Sequence, residues 1–271
     1  MAKTTSKLDP KKRYLQIALN NDLAETRKII ANLPLSDRII LEAGTPLIKR
    51  YGIGIISEIK HLYSLRLSGS SPDIYSNVTF KEFISFFAGM NKKTLNKTQN
   101  LAASFNTKNT DKFLPYVVAD FKMMDRGETE AELAAEAGAD AAVALGHAPV
   151  ESLNAFIQKC NELGIDAMID MMNVEYPLHI LRQLKKQPQV VILHRGVDEE
   201  RFNREKILPL YEIRRIKANY DILIAVAGGD SIKEVQSAVF NDADIVVVWK
   251  DFYQSSDKTL SLAEEFLQKI K

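Results

Sequence analysis

Short apolar runs alternate with longer amphipathic segments along this chain. Runs rich in Val, Ile and Ala carry the mark of parallel strands buried on both faces. Eight such runs stand at Tyr14–Asn20, Arg38–Ala43, Tyr116–Phe121, Ala141–Leu145, Asp166–Met171, Gln189–His194, Asp221–Ala227 and Asp244–Trp249. Between them lie helical patterns. Leu153, Phe156, Ile157, Cys160 and Leu163 share one helical face, and Gly164 marks its stop. Glu128–Ala137 is acidic at its start and ends at Gly138, as a helix prefers. Further helices are expected over Leu47–Tyr63, Ser231–Phe240 and Leu260–Ile270. Strands alternating with helices imply parallel βα units. Eight units in 271 residues predict a single (β/α)8 TIM barrel domain over 1–271. A doubly wound open sheet is the alternative. It usually has a Gly-rich turn after its first strand, and Asn20-Asn21-Asp22-Leu23 has no glycine.

One interval breaks the rhythm. An insertion is expected over 65–114, between the second helix and the third strand, far longer than the usual αβ loop. Phe80, Phe83, Ile84 and Phe87 fall at helical spacing within Thr79–Met90, so part of it reads as helix. Asn91–Lys112, rich in Asn, Thr and Lys, reads as flexible. The insertion leaves a helix and enters a strand, which puts it on the barrel face opposite the usual chemistry.

Composition narrows the class of protein. Lys and Arg total 36 against 35 Asp and Glu, so no broad basic field exists for nucleic acid. No apolar run is long enough for a bilayer, and Met1–Lys7 lacks the apolar core of a secretory signal. The single cysteine, Cys160, cannot form an internal disulfide, which fits a cytoplasmic setting. Its helical position reads as packing rather than reactivity.

Barrel chemistry belongs at the C-terminal strand ends. There stand Asn20, Glu42 with Gly44 and Thr45, Asp120 with Lys122 and Asp125, His147, Asp170, His194, the turn Gly228-Gly229-Asp230, and Lys250. Charged residues are rarely buried unless paired. Glu42, Asp120, Lys122 and Asp170 all interrupt apolar runs at one end of the barrel, which marks a polar site. Alternation sends Asp120 and Lys122 to one face of the third strand. A lysine held among carboxylates stays charged and can oppose a developing anion such as an enolate. Glu42 and Asp120 on neighbouring strands are hard oxygen ligands of the kind that bind Mg2+ together with substrate oxygens and water. Gly228-Gly229-Asp230 before the helix at Ser231 offers backbone N–H groups to a phosphate.

The segment Asp120-x-Lys122-x-x-Asp125 resembles that of the orotidine monophosphate decarboxylase superfamily. Glu42-x-Gly44-Thr45-Pro46-Leu47-Ile48 is similar to its metal-dependent branch, which holds 3-keto-L-gulonate 6-phosphate decarboxylases and 3-hexulose-6-phosphate synthases. Met124–Glu132, Glu136–Asp140 and His194-x-Gly196-x-Asp198 look closest to the archaeal synthases, which often carry a formaldehyde-activating domain absent from these residues. The likeness spans nearly the whole chain except Leu65–Leu114.

The resemblance implies an aldolase that condenses formaldehyde with ribulose 5-phosphate, or runs in reverse. Glu42 and Asp120 would hold Mg2+, His194 would move the C1 proton, and Lys122 would stabilise the enediolate. Asn20, Thr45, His147 and Asp170 would face the sugar phosphate; Gly228, Gly229, Asp230 and Lys250 would face its phosphate. His147 reads equally as a polar rim residue. Asp125 would reach a neighbouring subunit's site, making a homodimer. Three positions depart from the pattern: Asn20 replaces an Asp, Trp249-Lys250 replaces glycine, and Val197 stands where the decarboxylase has Arg. The last favours the aldolase. The alternatives are a keto-sugar-phosphate decarboxylase and a barrel that binds sugar phosphate without catalysis.

Overall fold

A computed structural model describes residues 6–68, 114–203, 205–229, 231–254 and 258–271. Eight parallel strands close in sequence order into one barrel. They are β1 Tyr14–Leu19, β2 Ile39–Ala43, β3 Val117–Met123, β4 Ala141–Leu145, β5 Asp166–Asp170, β6 Val190–His194, β7 Leu223–Ala227 and β8 Ile245–Val248. The pairing of Leu15 with Val246 and Ile17 with Val248 closes the ring. Each strand lies within one of the apolar runs predicted, apart from β3, which extends to Met123.

The described helices pack outside the barrel. They are α1 Leu23–Ala31, α2 Thr45–Tyr51, α3 Gly54–Leu67, α4 Gly127–Glu136, α5 Val150–Leu163, α6 Pro177–Gln183, α7 Val197–Phe202, α8 Tyr211–Lys217, α9 Ile232–Phe240, α10 Lys250–Gln254 and α11 Thr259–Lys269. The helix expected over Leu47–Tyr63 is two helices, α2 and α3, broken at Gly52 and Ile53. Helix α3 runs on to Leu67, so Leu65–Leu67 belong to the barrel's helical layer rather than to an insertion. The helix and flexible stretch expected in the remainder of 65–114 fall on 69–113, outside the described residues.

Two apolar layers follow from strand alternation. Outward side chains such as Leu15, Ile17, Leu41 and Val191 pack under the helices with Phe156, Ile157 and buried Cys160. Burial pushes the Cys160 thiol up, which agrees with a packing role. Inward side chains Ile40, Val118, Val143, Met168, Ile192 and Val247 fill the barrel. Leu8 joins this inner set with Tyr14 and Tyr116, so the segment before β1 plugs the N-terminal end of the barrel.

That end is sealed by polar caps. Asp140 Oδ2 accepts from the Val117 backbone N–H at 3.0 Å and from Lys60 at 2.8 Å. Asp244 Oδ2 accepts from the Ile224 N–H at 2.7 Å, and Gln189 Oε1 from the Ala167 N–H at 2.7 Å. Each cap serves an N–H at the start of a neighbouring strand that would otherwise be buried without a partner. Asp166 accepts from Ser6 Oγ at 2.7 Å and from the Tyr116 hydroxyl at 2.6 Å, which ties the plug in place. Asp140→Ala is expected to lower unfolding free energy by about 2–3 kcal/mol, because it orphans a buried N–H and unpairs Lys60; a urea midpoint unchanged from the parent's would contradict this.

Candidate active site

The opposite end of the barrel opens into a cavity of about 410 Å³. Its charged lining is Glu42, Asp120, Lys122, Asp170, His194 and Glu200. Inward residues Val143, Ile192 and Val247 form an apolar floor. Strand register explains the convergence. Ala18 pairs with Glu42, and Glu42 with Val118, so β2 and β3 bring Glu42 and Asp120 to one rim.

Lys122 reaches the cavity by an irregular route. The β3–β4 register shifts between Ala119 and Met123, and Lys122 has φ +48°. A left-handed conformation is costly for a non-glycine residue and persists where surrounding contacts hold it. Here those contacts are ionic. Lys122 Nζ lies 3.2 Å from Asp120 Oδ2 and 3.0 Å from Asp170 Oδ2. The expectation that Asp120 and Lys122 share a face is met, but by a bulge rather than by plain alternation.

The carboxylates differ in charge state. Burial alone would raise Asp170, but His194 and Lys122 outweigh it and hold the carboxyl at about 2. The lowered value adds about 2 kcal/mol of stability, present above the ordinary 3.8 and lost as pH falls through about 2. Burial and then the charge of Asp120 push Glu42 up to about 7. Stability from that group is present below 4.5 and lost as pH rises through about 7, so ionised Glu42 is costly in the fold. A cation beside it would offset that cost. Asp120 points the same way: Thr45 Oγ1 donates toward its carbonyl O at 2.8 Å and Oδ2 at 3.0 Å, while its buried Oδ1 has no hydrogen-bond partner. No group of three or more His, Cys, Asp or Glu is gathered for a metal among the described residues. Two carboxylates with open positions fit Mg2+, which keeps water and substrate oxygens, better than a closed protein cage.

His194 Nδ1 lies 2.8 Å from Asp170 Oδ2, with Nδ1–H the donor. This leaves Nε2 to act on a ligand. Burial disfavours the imidazolium, but the charge of Asp170 outweighs it and raises His194 above 6.5. For Lys122 burial likewise opposes the charge, and Asp120, Asp170 and Glu42 outweigh it, so the pKa rises above 10.5. Asp170 thus holds both the lysine and the histidine.

Two glycines shape the rim. A Cβ on Gly44 would lie 1.9 Å from Asn20 Oδ1, so only glycine lets the Asn20 amide stand there. Gly228 has φ +87°, and a Cβ on it would meet the Arg195 carbonyl O at 2.0 Å. Arg195 also donates to the Gly228 carbonyl at 2.5 Å and to Glu234 at 2.8 Å, clamping this turn to the first turn of α9.

The structure sorts the residues chosen from sequence. Asn20, Glu42, Thr45, Asp120, Lys122, Asp170, His194 and Gly228 line the cavity. Gly229 is buried beside Leu208 and Glu234 rather than lining it. Lys250 pairs with Glu200, which does line it. His147 is exposed and outside the cavity lining, because the chain turns away after β4, which is the place of a polar rim residue. Asp125 is also exposed, near Ser152 Oγ at 3.4 Å, and does not line this cavity. Asp230 lies outside the described residues. Sequence reasoning missed Gln16, whose amide Nε2 donates to Glu42 Oε2, and Glu200. For Gln16 the signal was a polar residue inside the apolar run of β1.

Comparison with known proteins follows the same line. The model of the Orotidine 5'-phosphate decarboxylase / HUMPS family matches residues 96–264. The bifunctional enzyme Fae/Hps of Methanocella arvoryzae is 33% identical over 260 residues, covering 95% of this chain and 53% of that protein. That of Methanosarcina barkeri is 32% identical over 269 residues, covering 99% and 55%. The chain therefore spans about half the length of the curated relatives it matches. The barrel is similar to the crystal structure of 3-hexulose-6-phosphate synthase from Salmonella typhimurium, with TM-score 0.69 and 23% identity over 95% of this chain and 98% of that one. It is also similar to 3-keto-L-gulonate-6-phosphate decarboxylase from Vibrio cholerae, with TM-score 0.63 and 17% identity over 96% and 99%.

Asp170→Asn is expected to bring the His194 pKa below 6.5, since burial and the Lys122 charge then act without the carboxylate. Proton NMR titration of the histidine ring signals, assigned with His194→Gln, checks this; a His194 pKa that stays above 6.5 would contradict the assignment.

Proposed function

The chain belongs to the orotidine 5'-phosphate decarboxylase / HUMPS family, and we propose that within it the protein is a Mg2+-dependent 3-hexulose-6-phosphate synthase. It condenses formaldehyde with ribulose 5-phosphate to give 3-hexulose 6-phosphate, or runs the reverse cleavage. The observation that carries the reading is one cavity that joins a cation-ready carboxylate pair, Glu42 and Asp120, to the Lys122–Asp170–His194 chain. The Fae/Hps relatives support it.

In this reading Glu42 and Asp120 hold Mg2+, which would supply Lewis acidity toward the oxygens of the sugar phosphate. His194 Nε2 removes the C1 proton of ribulose 5-phosphate as general base. Asp170 keeps the imidazole oriented and stabilises the imidazolium that forms. Lys122 opposes the negative charge of the enediolate. C1 then bonds to the formaldehyde carbon, and His194 returns a proton to the new alkoxide. The cleavage retraces these steps. Thr45 holds Asp120 in place, and Asn20 and Asp170 border the sugar. The phosphate sits near the Gly228 turn and the start of α9, and Lys250 supplies charge. Asp125, exposed on the rim, completes the cavity of a second copy, so the working unit is a homodimer. We place the enzyme in the cytoplasm.

Val197 lines the cavity at the position where the decarboxylases of the branch carry Arg, which favours the aldolase. Incubation with ribulose 5-phosphate, formaldehyde and Mg2+ is expected to consume formaldehyde, and a chelator to stop it. Asp120→Ala and His194→Ala are each expected to lower kcat/KM by about 100-fold or more. No formaldehyde consumption, with CO2 released from 3-keto-L-gulonate 6-phosphate, would reverse the assignment. Full activity in both variants would remove the enzyme reading.

A further inference from the structure

Gln16 is a polar side chain in the middle of a strand that is otherwise apolar. It is fully buried, at 0% exposure. In β1 it stands two residues before Ala18, which is paired with Glu42, so Gln16 and Ala18 share the inward face. Its amide Nε2 donates to Glu42 Oε2. Its carbonyl Oε1 is buried and has no hydrogen-bond partner. A half-satisfied amide is an expensive way to fill a barrel interior; an apolar side chain of the same length would leave nothing orphaned. Packing therefore does not account for it.

Its geometry gives it a task. An amide nitrogen can only donate, so this contact requires the Glu42 oxygen to accept. Held in that way, Oε2 is turned toward the barrel interior. Glu42 also lines the cavity, so the oxygen left for a ligand is Oε1. We propose that Gln16 is a positioning residue for Glu42: it fixes which carboxylate oxygen is offered to the divalent cation and keeps the other from competing. This rests on the cation reading of Glu42 and Asp120 given above.

Partners that orient ligating carboxylates typically change metal affinity by about 10–100-fold when removed. Gln16→Met keeps the length of the side chain and removes the donor. The metal-free full chain would be titrated with Mn2+ alone, without substrate, and the free ion read by electron paramagnetic resonance. Gln16→Met is expected to bind Mn2+ about 10–100-fold more weakly while keeping a cooperative thermal melt. Gln16→Leu serves as the second variant and is expected to behave alike. Binding within twofold of the parent in either folded variant, with Glu42→Gln abolishing it, would overturn the proposal. Failure of both variants to fold would assign Gln16 to stability and overturn it too. A parent chain that binds no Mn2+ at millimolar concentration would instead overturn the cation reading beneath it.

Discussion

The ammonium of Lys122, held between Asp120 and Asp170, is the contact on which the mouth of the barrel depends. Three carboxylates converge there from β2, β3 and β5. Glu42 shows the strain: burial and then the charge of Asp120 push it up, and the lysine opposes that rise. His194 and then the lysine outweigh burial at Asp170, which stays ionised and holds both. The lysine in turn stays charged because Asp120 and Asp170 flank it. The left-handed backbone at residue 122 is the structural cost of bringing the ammonium to that place.

Around this contact the barrel separates stability from chemistry. The N-terminal end is closed by Leu8, Tyr14 and Tyr116 and by side-chain caps on strand N–H groups. At the C-terminal end the matching of polar groups is incomplete. Asp120 Oδ1 and Gln16 Oε1 are buried without partners, and Glu42 is shifted toward its neutral form. An unpartnered oxygen on Asp120 and a neighbouring Glu42 shifted toward its neutral form, both lining one cavity, are the physical trace of a site built for a ligand.

Much of this was legible in the order of residues. Parallel strands buried on both faces leave continuous apolar runs, and that made the eight strands and their closure readable. The rule that chemistry sits at strand ends led to Glu42, Asp120, Lys122, Asp170 and His194, all of which meet in one cavity. The break between α2 and α3 was not legible, because the apolar pattern continues across it. Nor was the bulge at Lys122, since no residue type announces it. His147 follows the strand-end rule but stands outside the cavity lining, because its position after the strand turns outward. Gln16 and Glu200 escaped because one lies mid-strand and the other on a helix, where the rule does not look.

The central claim is that Lys122 and Asp170 act as one unit rather than as two separate contributors. A double-mutant cycle on kcat/KM for formaldehyde condensation, with Lys122→Met and Asp170→Asn, tests it most directly. Acting as a unit, the double variant should be no slower than Lys122→Met alone, to within about threefold. Losses that multiply in the double variant would show two independent groups and contradict the account.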